Sequence, residues 1–513
     1  GLVDISSGVG TLSINDTVAE TVNLSLNGGG GLDISSTQDV LFSPGPATQF
    51  VILDPADSTA GTATTVTVQA LDTNNNVDTS YGTGVTLVAG GSATGGGLVD
   101  IVSGVGTLSI NDTVAETVNL TLTDSEGTGL TVSSTQNVVF SPGAASYLKV
   151  TGNASMTAGG SNELTIKAYD ANNNLATGYI GTKSLTFSGP ATAPDDTVPT
   201  VETTAIGTAV DVTFTAGVSN ANAATLIAYK AEVTEVDVSD GSLNSTGDAS
   251  YDLDLTVTPG AANNLAYSQQ PGNTVAGSAI TPAVTVEVRD EWNNVRTSDN
   301  STSVAVAINN NPGSGTLSGT TPRTAASGVA TFNDLSIDKS GDGYTLDATS
   351  GGLTTATSSG FNITSPTIQF TSASSGGAES ATPVTLQLTL SAASGLDVSV
   401  DYALSGTATG GGTDYSLAAG TATITAGSTT TNINLTIVND LLVEADETII
   451  VTLSNPTNAT LGTNTVHTYT INDNDDPPTI QFTSTSSSGA ESATPVILQL
   501  TLSAVSGLDV SVD

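Results

Sequence analysis

The chain has no cysteine, so disulfides and thiolate metal sites are closed to it. It has a single histidine and a single tryptophan, and aromatic residues make up only 4% of it. Nucleophilic catalysis by a Ser–His pair would have only His467 to draw on, and His467 sits in the alternating segment 465–471, which reads as ordinary strand. The aromatic-lined cleft of a carboxylate-only glycosidase is equally hard to build from so few rings. Enzyme activity is therefore not expected. Basic residues are also scarce: eight Lys plus Arg stand against 49 Asp plus Glu, for a formal charge of −41. Such a field repels nucleic acid and anionic membrane surfaces and attracts divalent cations and basic partners. No apolar run approaches the roughly 20 residues that cross a bilayer, so membrane insertion is not expected. All eight cations lie between Lys149 and Lys339, leaving the acids of both ends without an internal counter-charge.

What the chain does contain is repetition. Residues 479–513 restate 367–401 with four differences, and 1–43 restate 97–141 apart from a short insertion. The expectation is a stretch of a longer array, whose stability sums over units and their junctions. At 513 residues, several domains of roughly 100 residues each are expected. Thr, Val, Ser, Gly and Asn dominate, and apolar residues recur at period two between turn signals. That is the pattern of half-buried strands rather than of disorder. Glycine runs at 28–31, 95–97 and 410–412 read as loops.

One strand-and-turn pattern occurs three times. Val66, Val68 and Ala70 lead to Asp72, then Asn74-Asn75-Asn76. Leu164, Ile166 and Ala168 lead to Asp170, then Asn172-Asn173-Asn174; Val284, Val286 and Val288 lead to Asp290, then Asn293-Asn294. Each is followed by a second alternating strand, which makes a hairpin whose turn rests on Asx side chains. An EF-hand is not expected at Asp170, because its sixth position is Leu175 and its twelfth is Gly181. The spacing of the three patterns, about 98 and then about 120 residues, suits one sandwich per repeat. With the Gly328-Val-Ala-Thr-Phe332 strand, residues 44–364 resemble the bacterial immunoglobulin-like repeats of invasin/intimin-type and filamin-type surface proteins. An insertion at 189–200 lengthens the middle repeat, and Trp292 is expected to pack against a neighbouring loop.

Residues 366–476 carry eleven Asp or Glu and no Lys or Arg. Asp440, Glu444, Asp446 and Glu447 crowd into eight residues, a repulsive arrangement without a cation. In a sandwich the loop of Glu379, the loop 440–447 and the closing Asp473 and Asp475 meet at one end. Hard carboxylate oxygens there suit Ca²⁺ better than Mg²⁺. Ala-Glu379-Ser, Thr-Asp414-Tyr, Glu444-Ala-Asp446-Glu447-Thr and Ile-Asn-Asp473-Asn-Asp475 resemble the Calx-beta domain, a family named for the calcium-sensing domains of sodium–calcium exchangers. The resemblance implies Ca²⁺ ligands at Glu379, Asp414, Asp440, Glu444, Glu447, Asp473 and Asp475, with Glu491 the first such acid of the next unit. Asn474 interrupts the terminal acids, so one or two ions are expected rather than a larger cluster. Asp446 is expected to position the loop, and Asp397 and Asp401 to face solvent.

The resulting expectation is an all-β chain of tandem immunoglobulin-like β-sandwich domains arranged as an elongated rod. Residues 1–43 are the C-terminal part of one Ig-like repeat. Residues 44–141, 142–258 and 259–364 are repeats, 365–476 is a Calx-beta-like domain, and 477–513 begins another. The expected role is a structural segment of a secreted bacterial surface protein, an adhesin stalk or extracellular filament stiffened by Ca²⁺. The alternatives are a self-assembling fibre or surface-layer subunit, with copies of itself as partners, and a loop-mediated module binding a glycan or a host or cell-surface receptor.

Overall fold

The computed structural model describes residues 1–28 and 30–513, and among these there is strand but no helix. Gly29, in the loop expected at 28–31, lies outside the described residues. Alternation in the sequence becomes alternation in burial: Val284–Arg289 runs buried, half-buried, buried along its length, as a strand with one face on a core must.

Two compact units, Gly1–Thr258 and Pro259–Asp513, divide the chain. In the first, the strands Gln49–Ile52, Thr64–Leu71 and Val105–Ile110 form one sheet. They face a five-stranded sheet containing Val85–Ala89, Thr117–Thr123 and Gln136–Ser141. Between the sheets lie Phe50, Val66, Val68, Leu87, Ile110, Leu120 and Phe140, a closed β-sandwich core. Farther along, Tyr147–Thr151, Thr165–Tyr169, Gly181–Ser188, Glu232–Ser239 and Leu253–Thr258 belong to one eight-stranded sheet. The hairpin of Ala209–Thr215 with Val218–Ser219 bridges what are two sheets in the preceding sandwich. The insertion contributes Thr200–Val201, which pairs with Thr204–Ala205 and with Thr225–Ile227.

The second unit holds one core between residues 265 and 363 and another between 368 and 471. The latter is enclosed by two five-stranded sheets. One contains Thr367–Phe370, Val384–Leu390 and Thr430–Ile437; the other contains Ser374–Ala378, Val398–Gly406, Glu447–Thr457 and Val466–Asn472. The chain is therefore an all-β array of immunoglobulin-like sandwiches.

The Asp–Asn turns explain themselves at atomic level. Asp170 is buried. Its Oδ1 accepts the N–H groups of Asn172 and Asn174 at 2.8 Å each, and its Oδ2 accepts from Gly143 N at 2.8 Å and Asn174 Nδ2 at 3.1 Å. Asp72 and Asp290 repeat the arrangement. Asn75, Asn173 and Asn293 take positive φ of 63–66°, which Asn tolerates better than most residues. All the carboxylate oxygens are thus occupied by amides. Trp292 packs over Gly260, where a Cβ would come within 3.1 Å of the indole.

Candidate metal centre

Four strand ends deliver acids to one pole of the sandwich at 368–471. Ser374–Ala378 runs parallel to Val466–Asn472 with Ala378 opposite Asn472, so Glu379 and Asp473 leave their strands side by side. Glu447 opens the strand Glu447–Thr457 opposite Ile471. Asp414 immediately precedes Tyr415, which pairs with Ile437, and Val438 N donates to Asp414 O at 2.9 Å. Strand register alone brings together acids up to 96 positions apart, Glu379 and Asp475.

Two groups result. In the first, one carboxylate oxygen from each of Glu379, Asp440 and Asp475 lies within 4.8 Å of the others; Asp414, Glu444 and Glu447 form the second in the same way. Glu379 is 6% exposed, and its Oε2 has no hydrogen-bond partner. Asp473 Oδ1 and Asp475 Oδ2 are likewise buried and unpartnered. Asp473 belongs to neither triad, but its charge acts on Glu379, Glu444 and Asp475.

Mutual repulsion in a partly desolvated place is written into the protonation of these groups. Burial, then the Asp440 charge, pushes the Glu379 carboxyl up. Glu444 is raised by burial and by Asp414, and Asp475 by burial and by Asp473. Glu447 is pushed up to about 7, first by burial and then by a proton shared with Asp414. Local hydrogen bonds meet only part of the demand: Asp440 Oδ1 takes Leu442 N at 2.8 Å, and Asp414 takes the Thr409 amide.

Residues 363–475 match the Calx-beta domain. No curated protein matches the chain. Among solved structures, the apo-form Calx CBD1 domain is 22% identical and aligns over 22% of this chain and 99% of its own, with a TM-score of 0.21. FdeC, an Escherichia coli adhesin, is 19% identical over 62% of this chain and 99% of its own (TM-score 0.32). Invasin, a bacterial integrin-binding protein, is 13% identical over 85% of this chain and 81% of its own (TM-score 0.27). Likeness this distant says nothing of ligand or partner.

Of the acids expected to bind metal, all except Glu491 gather at the Calx-beta pole. Glu491 lies in an exposed turn and joins neither carboxylate group; within 477–513 there are no counterparts of Asp414 or of the acids from 440 onward. Asp446 is exposed and outside both groups. Asp397 is exposed and accepts Ala426 N, whereas Asp401 is half-buried and accepts from Thr421 Oγ1 and Asn455 Nδ2. His467 is buried. Its Nδ1 faces Ser372 O at 2.6 Å and its Nε2 faces Ser375 Oγ at 2.8 Å. A carbonyl can only accept, so Nδ1 carries the proton and Nε2 accepts from Ser375. The ring thereby pins the segment before Glu379 to the strand Val466–Asn472, which ends just before Asp473.

Two features escaped the sequence. Tyr147 stacks on Tyr169 and Tyr251, at 5.5 and 3.9 Å between centroids, although nothing in the spacing of the three residues announces it. Asn174 also reaches outside its own turn: its Nδ2 donates to Thr113 O at 2.8 Å and its Oδ1 accepts Ala115 N at 2.9 Å. Asn76 does the same to Thr17 and Ala19. The third Asn of the first two clusters thus ties its turn to the segment 57 to 61 residues earlier; the repeated Thr-x-Ala at 17–19 and 113–115 is the trace of it in the sequence.

Proposed function

We propose that residues 365–476 are a Ca²⁺-binding Calx-beta module in a structural segment of an adhesin-type protein, outside the cell or at its surface. Two carboxylate triads, the first with buried, unpartnered oxygens on Glu379 and Asp475, support the reading most directly. Calx-beta domains are calcium-binding in general, and this donor set fits the ion: six or more hard oxygens, irregularly placed, with no competing ammonium or guanidinium. Glu379, Asp440 and Asp475 would hold one ion and Asp414, Glu444 and Glu447 a second, with Asp473 between them. Bound Ca²⁺ supplies the positive charge that these acids lack. The division at residues 44, 142, 259, 365 and 477 belongs to the same proposal.

A contact with the following segment supports a mechanical role. Gly507 N donates to Val443 O at 3.0 Å, and Ser506 bridges to Val443 in parallel. A Cβ on Gly507 would lie 2.9 Å from Glu444 Cγ, so a larger residue there would have to displace the Glu444 side chain. Ca²⁺ that orders residues 440–447 would therefore firm the seat of residues 506–507.

Calorimetric unfolding of the chain with EDTA and with excess Ca²⁺ tests the reading. One transition should rise with Ca²⁺, by about 2.7 kcal/mol at a hundredfold excess over Kd, and Glu379→Gln with Glu447→Gln should abolish the rise. A Ca²⁺ response of that same transition that survives both substitutions would place its ion elsewhere; no response of that transition would make these acids a solvated surface.

A further inference from the structure

The sandwich at residues 49–141 contains a second unbalanced group of acids, far in sequence from the Calx-beta pole. Asp112 is 1% exposed, and its Oδ2 is buried with no partner. Its Oδ1 accepts Val114 N at 2.8 Å and lies 2.7 Å from Ser92 Oγ. The same Ser92 Oγ lies 2.8 Å from Glu116 Oε1, which also accepts Ser92 N at 2.6 Å. A hydroxyl has one hydrogen, so it can serve only one of these two carboxylates. The carboxyl groups of Asp112 and Glu116 are themselves within hydrogen-bonding reach of each other. No ion pair reaches either among the described residues, and residues 44–141 contain no Lys or Arg. A buried carboxylate without a counter-charge is costly.

The next sandwich shows what is missing. Phe140 N donates to Glu116 O, and Glu232 pairs with Val257 at the equivalent place in the sheet. Gly61 N donates to Asp112 O, as Gly159 N does to Ala228 O. Ser92 N donates to Glu116 Oε1, as Ala191 N does to Glu232 Oε1. Glu232 is thus the counterpart of Glu116, Ala228 of Asp112, Ala191 of Ser92, and Lys230 of Val114. In that sandwich Lys230 Nζ sits 2.9 Å from Glu232 Oε2. Where the built-in cation is present, the Asp and Ser are alanines; where they are present, the cation is absent.

We propose that Asp112, Glu116 and Ser92 bind a divalent cation, Ca²⁺ by the hardness of its donors, in place of the ammonium group of Lys230. Asp112 Oδ2 and the Glu116 carboxylate are the anionic ligands, and the Ser92 hydroxyl turns its hydrogen away to present a lone pair. The flanking Thr113 O and Ala115 N are the atoms gripped by Asn174, so the ion fixes the loop on which the following turn rests. Asn15-Asp-Thr-Val-Ala-Glu20 repeats Asn111-Asp-Thr-Val-Ala-Glu116, with Val18 N on Asp16 Oδ1 at 2.9 Å.

The test uses the full chain with the Calx-beta pole silenced by Glu379→Gln and Glu447→Gln, so its outcome is independent of that reading. Ca²⁺ bound per chain is measured by equilibrium dialysis, in that parent and after adding Ser92→Ala, Asp112→Ala and Val114→Lys, which transplants the neighbouring arrangement. One Ca²⁺ per chain should be lost, with the EDTA melting temperature of the transplant no lower than the parent's. Asp112→Asn, which keeps the shape of the loop, should lose the same ion. Unchanged Ca²⁺ binding in both variants overturns the proposal. So does a loop that responds only to pH in EDTA, which would mean that Asp112 and Glu116 share a proton.

Discussion

A single carboxylate has opposite fates in this chain according to how many amides it meets. Asp170 meets four donors, and a buried acid so supplied is a structural anchor. Asp170→Ala should cost roughly 2–3 kcal/mol through its stranded donors, in EDTA and in Ca²⁺ alike, as read by urea denaturation. Asn174→Asp should also destabilise, by roughly 1–2 kcal/mol, because it replaces the donor to Thr113 O and sets a second charge beside Asp170. Glu447 is the reverse case, short of donors and crowded by Asp414. Its replacement by Gln should therefore change sign with conditions. In EDTA at pH 8 the variant should melt roughly 2–4 °C above wild type, because a repulsive charge is gone; in Ca²⁺ it should melt below it, because a ligand is gone. The same sign under both conditions would sink the ligand assignment.

At the scale of elements, strand ends decide where charge accumulates, and the pH dependence follows. Acids whose folded pKa is raised, with Glu447 at about 7, bind protons more tightly folded than unfolded. They stabilise the fold as pH falls from about 7 towards their unfolded value near 4.5, and that gain disappears as pH rises again. Asp72, Asp299 and Asp334 are held at about 2. Their contribution is complete above about 4 and is lost as pH falls through 2. Melting temperature in EDTA should thus peak between about pH 4 and 5, and Ca²⁺ should flatten the alkaline limb by replacing protons at the pole. A profile in EDTA that is flat from pH 5 to 8 would contradict the crowding at Glu447. Another element recurs with a constant use: Gly395 N donates to Asp338 O at 2.8 Å, as Gly507 N does to Val443 O. The Ser-Gly pairs 394–395 and 506–507, equivalent in the repeated sequence, each dock on the segment before them. Gly507→Val should expose the loop 440–447 to proteolysis while leaving the ligand residues intact.

For the molecule as a whole, a formal charge of −41 makes solvent ions part of the stability balance. Monovalent salt should raise all the transitions modestly by screening, since the Debye length contracts from about 30 Å at 0.01 M to about 8 Å at 0.15 M. Ca²⁺ at micromolar to millimolar levels should act on selected transitions only. If Ca²⁺ and an equal ionic strength of NaCl moved every transition alike, site-bound ions would be ruled out in favour of general screening.

The sequence by itself determined the class of structure and the composition of its sites. Period-two burial at Val284–Arg289, the Asp–Asn turns and the near-identity of 367–401 with 479–513 are local or repetitive signals, and local geometry is what alternation and turn chemistry specify. The acids of the Calx-beta pole were legible too, because strand ends crowd them into short motifs. Tertiary structure alone decided the pairings. Register placed Glu379 with Asp440 and Asp475, and Asp414 with Glu444 and Glu447; it left Asp473 and Glu491 outside both triads. It buried Asp112 against Glu116, set Lys230 at the matching place in the next sandwich, and stacked Tyr147 between Tyr169 and Tyr251. These depend on strands far apart in the chain lying side by side, and a shift of one residue in any of them would turn the side chain to the opposite face.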